Sequence, residues 1–164
     1  MTKILIIGYG NPDREDDGVA WHILQALAEA LDRPAPTLEN DGLDRLGQSP
    51  DLVFVLQLTP ELSEIFAEYD YVCFIDAHTG AYEEDVRFEQ LEAAFQASPF
   101  THHMTPQTCL VLAQTLYGRA PEGVVVSVRG YAFGFSRELS PATAALAEEA
   151  SIRIKSWLDR ISPQ

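Results

Sequence analysis

Apolar positions along this chain follow two periodicities, and each predicts a different kind of element. Residues 52–57 (Leu52-Val53-Phe54-Val55-Leu56-Gln57) and 71–76 (Tyr71-Val72-Cys73-Phe74-Ile75-Asp76), together with 3–8 and 123–128, are short, β-branched or aromatic, and bounded by breakers. That is the mark of β-strands. Three of these four stretches are apolar almost throughout rather than alternately. Continuous apolarity implies burial on both faces, as in a parallel sheet with helices on each side. A weaker segment, 86–91, predicts an edge strand.

Between the strands the period lengthens. In 18–32, Ala20, Ile23, Leu24, Leu27 and Leu31 fall on one helical stripe, and in 141–161 Leu146, Ala150, Ile154, Trp157 and Ile161 do the same. Thr59-Pro60, Thr105-Pro106 and Ser140-Pro141 each place a hydroxyl before a proline, the arrangement of an N-cap followed by the first helical residue. Residues 33–50 carry three prolines and two glycines and read as an irregular excursion rather than a linker. The expected fold is α/β: a three-layer α/β/α sandwich with a twisted, mostly parallel sheet of about five strands.

Composition narrows the function classes. With 164 residues and 46% hydrophobic content, the chain has the size of one domain, 1–164, around a single sizeable core. Twenty-five acidic against eleven basic residues give a net charge of -14, which repels a polyanion and argues against a nucleic acid partner. Only four strongly apolar residues follow Lys3 before the first glycine, too few for a signal peptide or a membrane span, so the expectation is a cytoplasmic protein with no membrane partner. Cys73 and Cys109 lack metal-ligand spacing and read as small buried hydrophobes.

The chemistry gathers on loops. The first strand breaks at Gly8-Tyr9-Gly10-Asn11 and runs into Arg14-Glu15-Asp16-Asp17-Gly18 before a helix. Gly8 and Gly10 resemble the start of a dinucleotide fingerprint and keep a Rossmann-like nucleotide-dependent enzyme open as an alternative. However, the third glycine is replaced by Asp13, and carboxylates crowd the place of a pyrophosphate. Asp16 and Asp17 read either as caps of the following helix or as ligands facing a cleft. Asp76 ends an apolar strand, where a carboxylate is costly unless paired or bound to a cation. His102 and His103 precede the helix opened at Thr105. Two carboxylates and an imidazole from separate loops form a set suited to zinc, nickel or cobalt, with open positions left over. No Gly-x-Ser-x-Gly elbow, His-Glu-x-x-His pair or Gly-Lys-Ser/Thr loop occurs. The Gly130-Tyr131-Ala132-Phe133-Gly134-Phe135 segment reads first as aromatics covering the end of the core and second as contact area for a bound peptide.

Taken together, Gly8-Tyr9-Gly10-Asn11, Asp16-Asp17-Gly18, Phe74-Ile75-Asp76-Ala77 and Thr101-His102-His103-Met104 resemble the hydrogenase maturation protease family in order and spacing. The resemblance implies an α/β/α fold and an endopeptidase, aspartyl-type or metal-linked. Such an enzyme removes a C-terminal extension from the large-subunit precursor of a nickel-iron hydrogenase after nickel insertion. Carried over residue by residue, it implies Asp17, Asp76 and either His102 or His103 as the groups that contact nickel, with the ion supplied by the precursor. Asp17 and Asp76 are then also the catalytic candidates, and Gly10, Asn11, Gln57 and His78 the candidate substrate contacts. A non-catalytic, nickel-dependent chaperone for the same precursor is the remaining alternative. The chain departs from the family pattern after its second strand, where Gln57-Leu58-Thr59-Pro60-Glu61-Leu62 replaces an Asp-Gly-rich turn.

Overall fold

The computed structural model describes residues 2–92 and 104–162. Five strands form one sheet: β1 (Ile4–Tyr9), β2 (Asp51–Val55), β3 (Tyr71–His78), β4 (Val86–Leu91) and β5 (Glu122–Arg129), in the order β2-β1-β3-β5-β4. The pairs β1 with β2, β1 with β3, and β3 with β5 are parallel, and β4 runs antiparallel along β5 at the edge. The sheet is therefore mostly parallel, as the continuous apolar runs require. β2 stops at Val55, two residues short of the apolar stretch, and Leu56 and Gln57 turn outward to solvent.

Strand parity divides the core. Ile4 and Ile6 of β1, Cys73 and Ile75 of β3, and Val124 and Val126 of β5 face α1 (Val19–Leu31) and α4 (Pro141–Ile161). Leu5 and Ile7, Val72 and Phe74, and Val125 face the single turn α2 (Ser63–Phe66) and α3 (Pro106–Tyr117). Each face is a layer of buried apolar residues, which gives the three-layer sandwich. Among the described residues, no helix is long and apolar enough to cross a membrane.

Two of the three hydroxyl-proline junctions cap as expected. Thr105 Oγ1 accepts from the Thr108 amide at 3.2 Å, and Ser140 Oγ from the Thr143 amide at 3.4 Å. Thr59 makes no such bond, and its proline opens a 3-10 turn, Pro60–Leu62, instead of a full helix. At the amino edge of the sheet, buried Asp51 is saturated: Tyr69 Oη donates to its Oδ2 at 2.6 Å, the Gly47 amide to Oδ2 and the Gln48 amide to Oδ1, both at 2.8 Å.

Candidate functional site

The carboxyl edge of the sheet is organised by the turn that follows β1. Gly10 takes φ +141, and a Cβ on it would collide with the backbone oxygen of Asp17, so only glycine fits this close approach. The next residue, Asn11, donates its amide to Asp17 Oδ2 at 2.8 Å. Asp17 is partly buried within a 3-10 turn, Glu15–Gly18, which lies against β3. One residue before the glycine, Tyr9 Oη donates to Asp76 Oδ2 at 2.6 Å. The last residue of β1 and the turn that follows it thus touch Asp76 and Asp17 respectively.

Asp76 sits near the end of β3, in register with Ser127 of β5. Its Oδ1 is sealed from solvent and has no hydrogen-bond partner among the described residues. Burial pushes the Asp76 carboxyl above the usual carboxylate range, and the Tyr9 and Ser127 hydroxyls only partly offset this. Burial and then the Asp76 charge push the Tyr9 phenol up in turn. A buried carboxylate oxygen without a partner costs about 1–3 kcal/mol and calls for an explanation such as a bound ion or substrate group.

Asp76 lines a cavity of about 370 Å³ between the sheet and the start of α3, shared with Tyr9, Arg87, Glu89, Ser127 and Gln107. Arg87 spans its outer wall, 3.1 Å from Glu89 and stacked 4.2 Å above the Tyr82 ring. The N-terminal turn of α3 opens on the same space and contributes positive potential to it. Asp17 is not among the residues described around this cavity.

Asp16 behaves quite differently from its neighbour. It caps nothing in α1, whose N-cap Gly18 has no side-chain bond. Fully buried, its carboxylate accepts from the amides of Tyr131, Ala132 and Ser140 and from the hydroxyls of Ser140 and Thr143, all within 2.9 Å. Burial alone would raise its pKa, but these donors, Ser140 first, outweigh it and hold the carboxyl at about 2. Arg14 and Glu15 add bonds to the backbone of Phe133 and Gly134. The capping alternative for this pair gives way to a latch between the turn after β1 and the segment before α4.

The remaining candidates are placed as follows. Gly10 and Asn11 form the turn itself, and Gln57 is exposed beyond β2. His78 is buried, its Nδ1 accepting from the Gly80 amide and its Nε2 donating to the Glu84 carbonyl, each at 3.1 Å, so both ring nitrogens hold the loop after β3. His102 and His103 lie outside the described residues. Among the described residues, no three His, Cys, Asp or Glu side chains are close enough to hold a metal. Both cysteines are buried and free, and desolvation pushes their thiols up, Cys109 to about 12, which removes nucleophilic character. Phe135 is 90% exposed and Tyr131 49%, so these two rings do not cover the end of the core.

Sequence reasoning missed Tyr9, Ser127 and Arg87. The signal for Tyr9 was present: counting by twos from Leu5 in β1 and from Val72 in β3 brings Tyr9 and Asp76 to one face.

No protein-family model and no curated protein matches the sequence. Solved structures do. The hydrogenase maturating endopeptidase HybD from E. coli aligns over 98% of this chain and 94% of its own, at 20% identity and a TM-score of 0.69. The [NiFe] hydrogenase maturation protease HybD from Thermococcus kodakarensis aligns over 96% and 99%, at 17% identity and a TM-score of 0.66. HycI, a [NiFe] hydrogenase maturation protease from Thermococcus kodakarensis KOD1, aligns over 96% and 93%, at 20% identity and a TM-score of 0.64. From end to end, the chain has the fold of the hydrogenase maturation endopeptidases.

Proposed function

We propose that the chain is a cytoplasmic endopeptidase that removes the C-terminal extension from the large-subunit precursor of a nickel-iron hydrogenase after nickel insertion. The supporting observation is a conjunction. The whole chain aligns with proteins named for that activity, and the end of β1 and the turn after it bond two carboxylates at the carboxyl edge of the sheet, where ligands of open α/β folds sit.

Nickel enters as part of the substrate. Asp17, Asp76 and an imidazole from His102 or His103 supply oxygen and nitrogen donors suited to that ion, and the open positions leave room for the client's own ligands. Metal occupancy then becomes the signal for cleavage. Peptide hydrolysis needs a polarised carbonyl and a water relieved of its proton. Asp76 can serve as ligand or as base, and both roles use a carboxylate oxygen not already engaged; Oδ1 is that oxygen. A nucleotide role is less suited to the turn, because the Asn11 amide that a pyrophosphate would need is bonded to Asp17.

Incubating the purified chain with nickel-loaded precursor, and following precursor mass, tests the reading. Loss of the tail from loaded but not metal-free precursor is expected. Wild-type trimming by a folded Asp17→Ala or Asp76→Ala variant overturns it, and association without loss of mass identifies a binding module instead.

A further inference from the structure

The Tyr9–Asp76 pair is unlike its counterpart at the other end of the sheet. Asp51 also accepts a tyrosine hydroxyl at 2.6 Å, yet two amides complete its shell. Asp76 receives the Tyr9 hydroxyl on Oδ2, with the Ser127 hydroxyl beside the carboxyl, and no amide reaches it; its Oδ1 has no hydrogen-bond partner among the described residues. An ionised carboxylate can only accept, so the phenol is the donor and Oδ2 is the oxygen it occupies. The terminal torsion of an aspartate is broad and nearly two-fold. Without a donor on one side, either oxygen can turn toward the cavity.

We propose that Tyr9 is a positioning residue for Asp76: by holding Oδ2 it fixes the carboxylate plane, and with it the orientation in which Asp76 meets the metal carried by the client. The assignment rests on the protease reading above and adds a specific geometry to it, a carboxylate plane set by the Tyr9 hydroxyl. Groups that orient a ligating carboxylate typically change metal affinity or activity by about 10- to 100-fold when removed. Tyr9→Phe keeps the ring that packs beside Ile7 and removes only the donor.

The test uses the full-length protein in four forms: wild type, Tyr9→Phe, Asp76→Asn and the double variant. Nickel(II) alone is titrated into each by calorimetry, and KM and kcat are measured on nickel-loaded precursor. Tyr9→Phe is expected to weaken nickel binding and raise KM by about tenfold, with a smaller change in kcat. In the Asp76→Asn background, where no carboxylate remains to be oriented, the same substitution should change neither quantity. That conditional effect separates positioning from a general structural role, which would lower both backgrounds alike. Unchanged nickel affinity and KM in Tyr9→Phe, with wild-type activity intact, overturn the role of Tyr9 alone. A wild-type protein that neither binds nickel nor trims precursor overturns the protease reading and this assignment together.

Discussion

The two ends of the sheet carry the same side-chain pair in opposite states of completion. At the amino end, Asp51 and Tyr69 are joined by amides until both carboxylate oxygens are used. At the carboxyl end, Asp76 and Tyr9 make the same 2.6 Å bond, and one oxygen stays without a partner among the described residues. Buried polar groups in folded proteins are almost always satisfied. The first pair is complete within the described residues, and the second is the one that the proposed function assigns to the client. Asp16 sides with Asp51: five donors converge on it. Asp16 and Asp76 thus differ in the completeness of their hydrogen bonding although both lie near the carboxyl end of the sheet.

The contrast is most exposed at Asp16. Replacing it with alanine strands three amides and two hydroxyls at once and is expected to cost about 3–5 kcal/mol, a fall in Tm of about 10 °C, measured by thermal unfolding. The pH dependence carries a definite sign. A folded-state value of about 2 lies below the ordinary aspartate value, so the contribution is fully present above pH ~4 and is lost as pH falls through about 2. The stability gap between wild type and Asp16→Asn should narrow over that interval. A gap that stays constant to pH ~2 would mean that the ionised latch is not what holds the two segments together.

Asp51→Ala comes next, with a loss of about 2–3 kcal/mol, because a tyrosine hydroxyl and two amides lose a charged acceptor. Denaturant midpoints read it directly. A loss well below 1 kcal/mol would erase the distinction between the two tyrosine-aspartate pairs from its structural side.

How these roles divide between sequence and structure has a physical reason. The strands read at 71–76 and 3–8, the helix from Pro141 and the caps at Thr105 and Ser140 were legible to within two residues, because periodicity and capping are local in sequence. Near the proposed site, Asp76 bonds Tyr9 at the end of β1 and Asp17 bonds Asn11 just beyond it. The latch at Asp16 was not legible, since its donors lie more than a hundred residues away along the chain and only folding brings them near. Nor was the antiparallel direction of β4, because a long connection that includes α3 separates it from its partner β5, and a connection of that length allows either direction. Thr59 read as a helix cap, but the chain there needs only one 3-10 turn to reach α2.

A smaller effect sharpens what kind of contact makes the Asp16 region rigid. Phe135 lies in the segment that Asp16 latches, yet its ring is 90% exposed and meets the Arg14 guanidinium 4.9 Å from its centroid. Phe135→Ala should cost less than about 1 kcal/mol, the scale of one exposed cation–π contact. Parity with Asp16→Ala in a melting experiment would show that aromatic packing, not the polar latch, carries the region.

The least change in stability belongs to Asp76, and it carries the most weight for the comparison. Burial raises its carboxyl above the usual range, which means that the ionised form is held at a cost in the folded chain. Asp76→Asn removes that charge while keeping an acceptor for the Tyr9 hydroxyl, so thermal stability at neutral pH should stay level or rise. Processing of nickel-loaded precursor by the same variant should fall by about 100-fold or more, the scale of losing a group that touches the reacting centre. Stability and function would then move in opposite directions at one residue, as expected where a fold tolerates an unsatisfied group for what it binds. A variant as unstable as Asp51→Ala would instead place Asp76 among the structural carboxylates, and the two ends of the sheet would be alike.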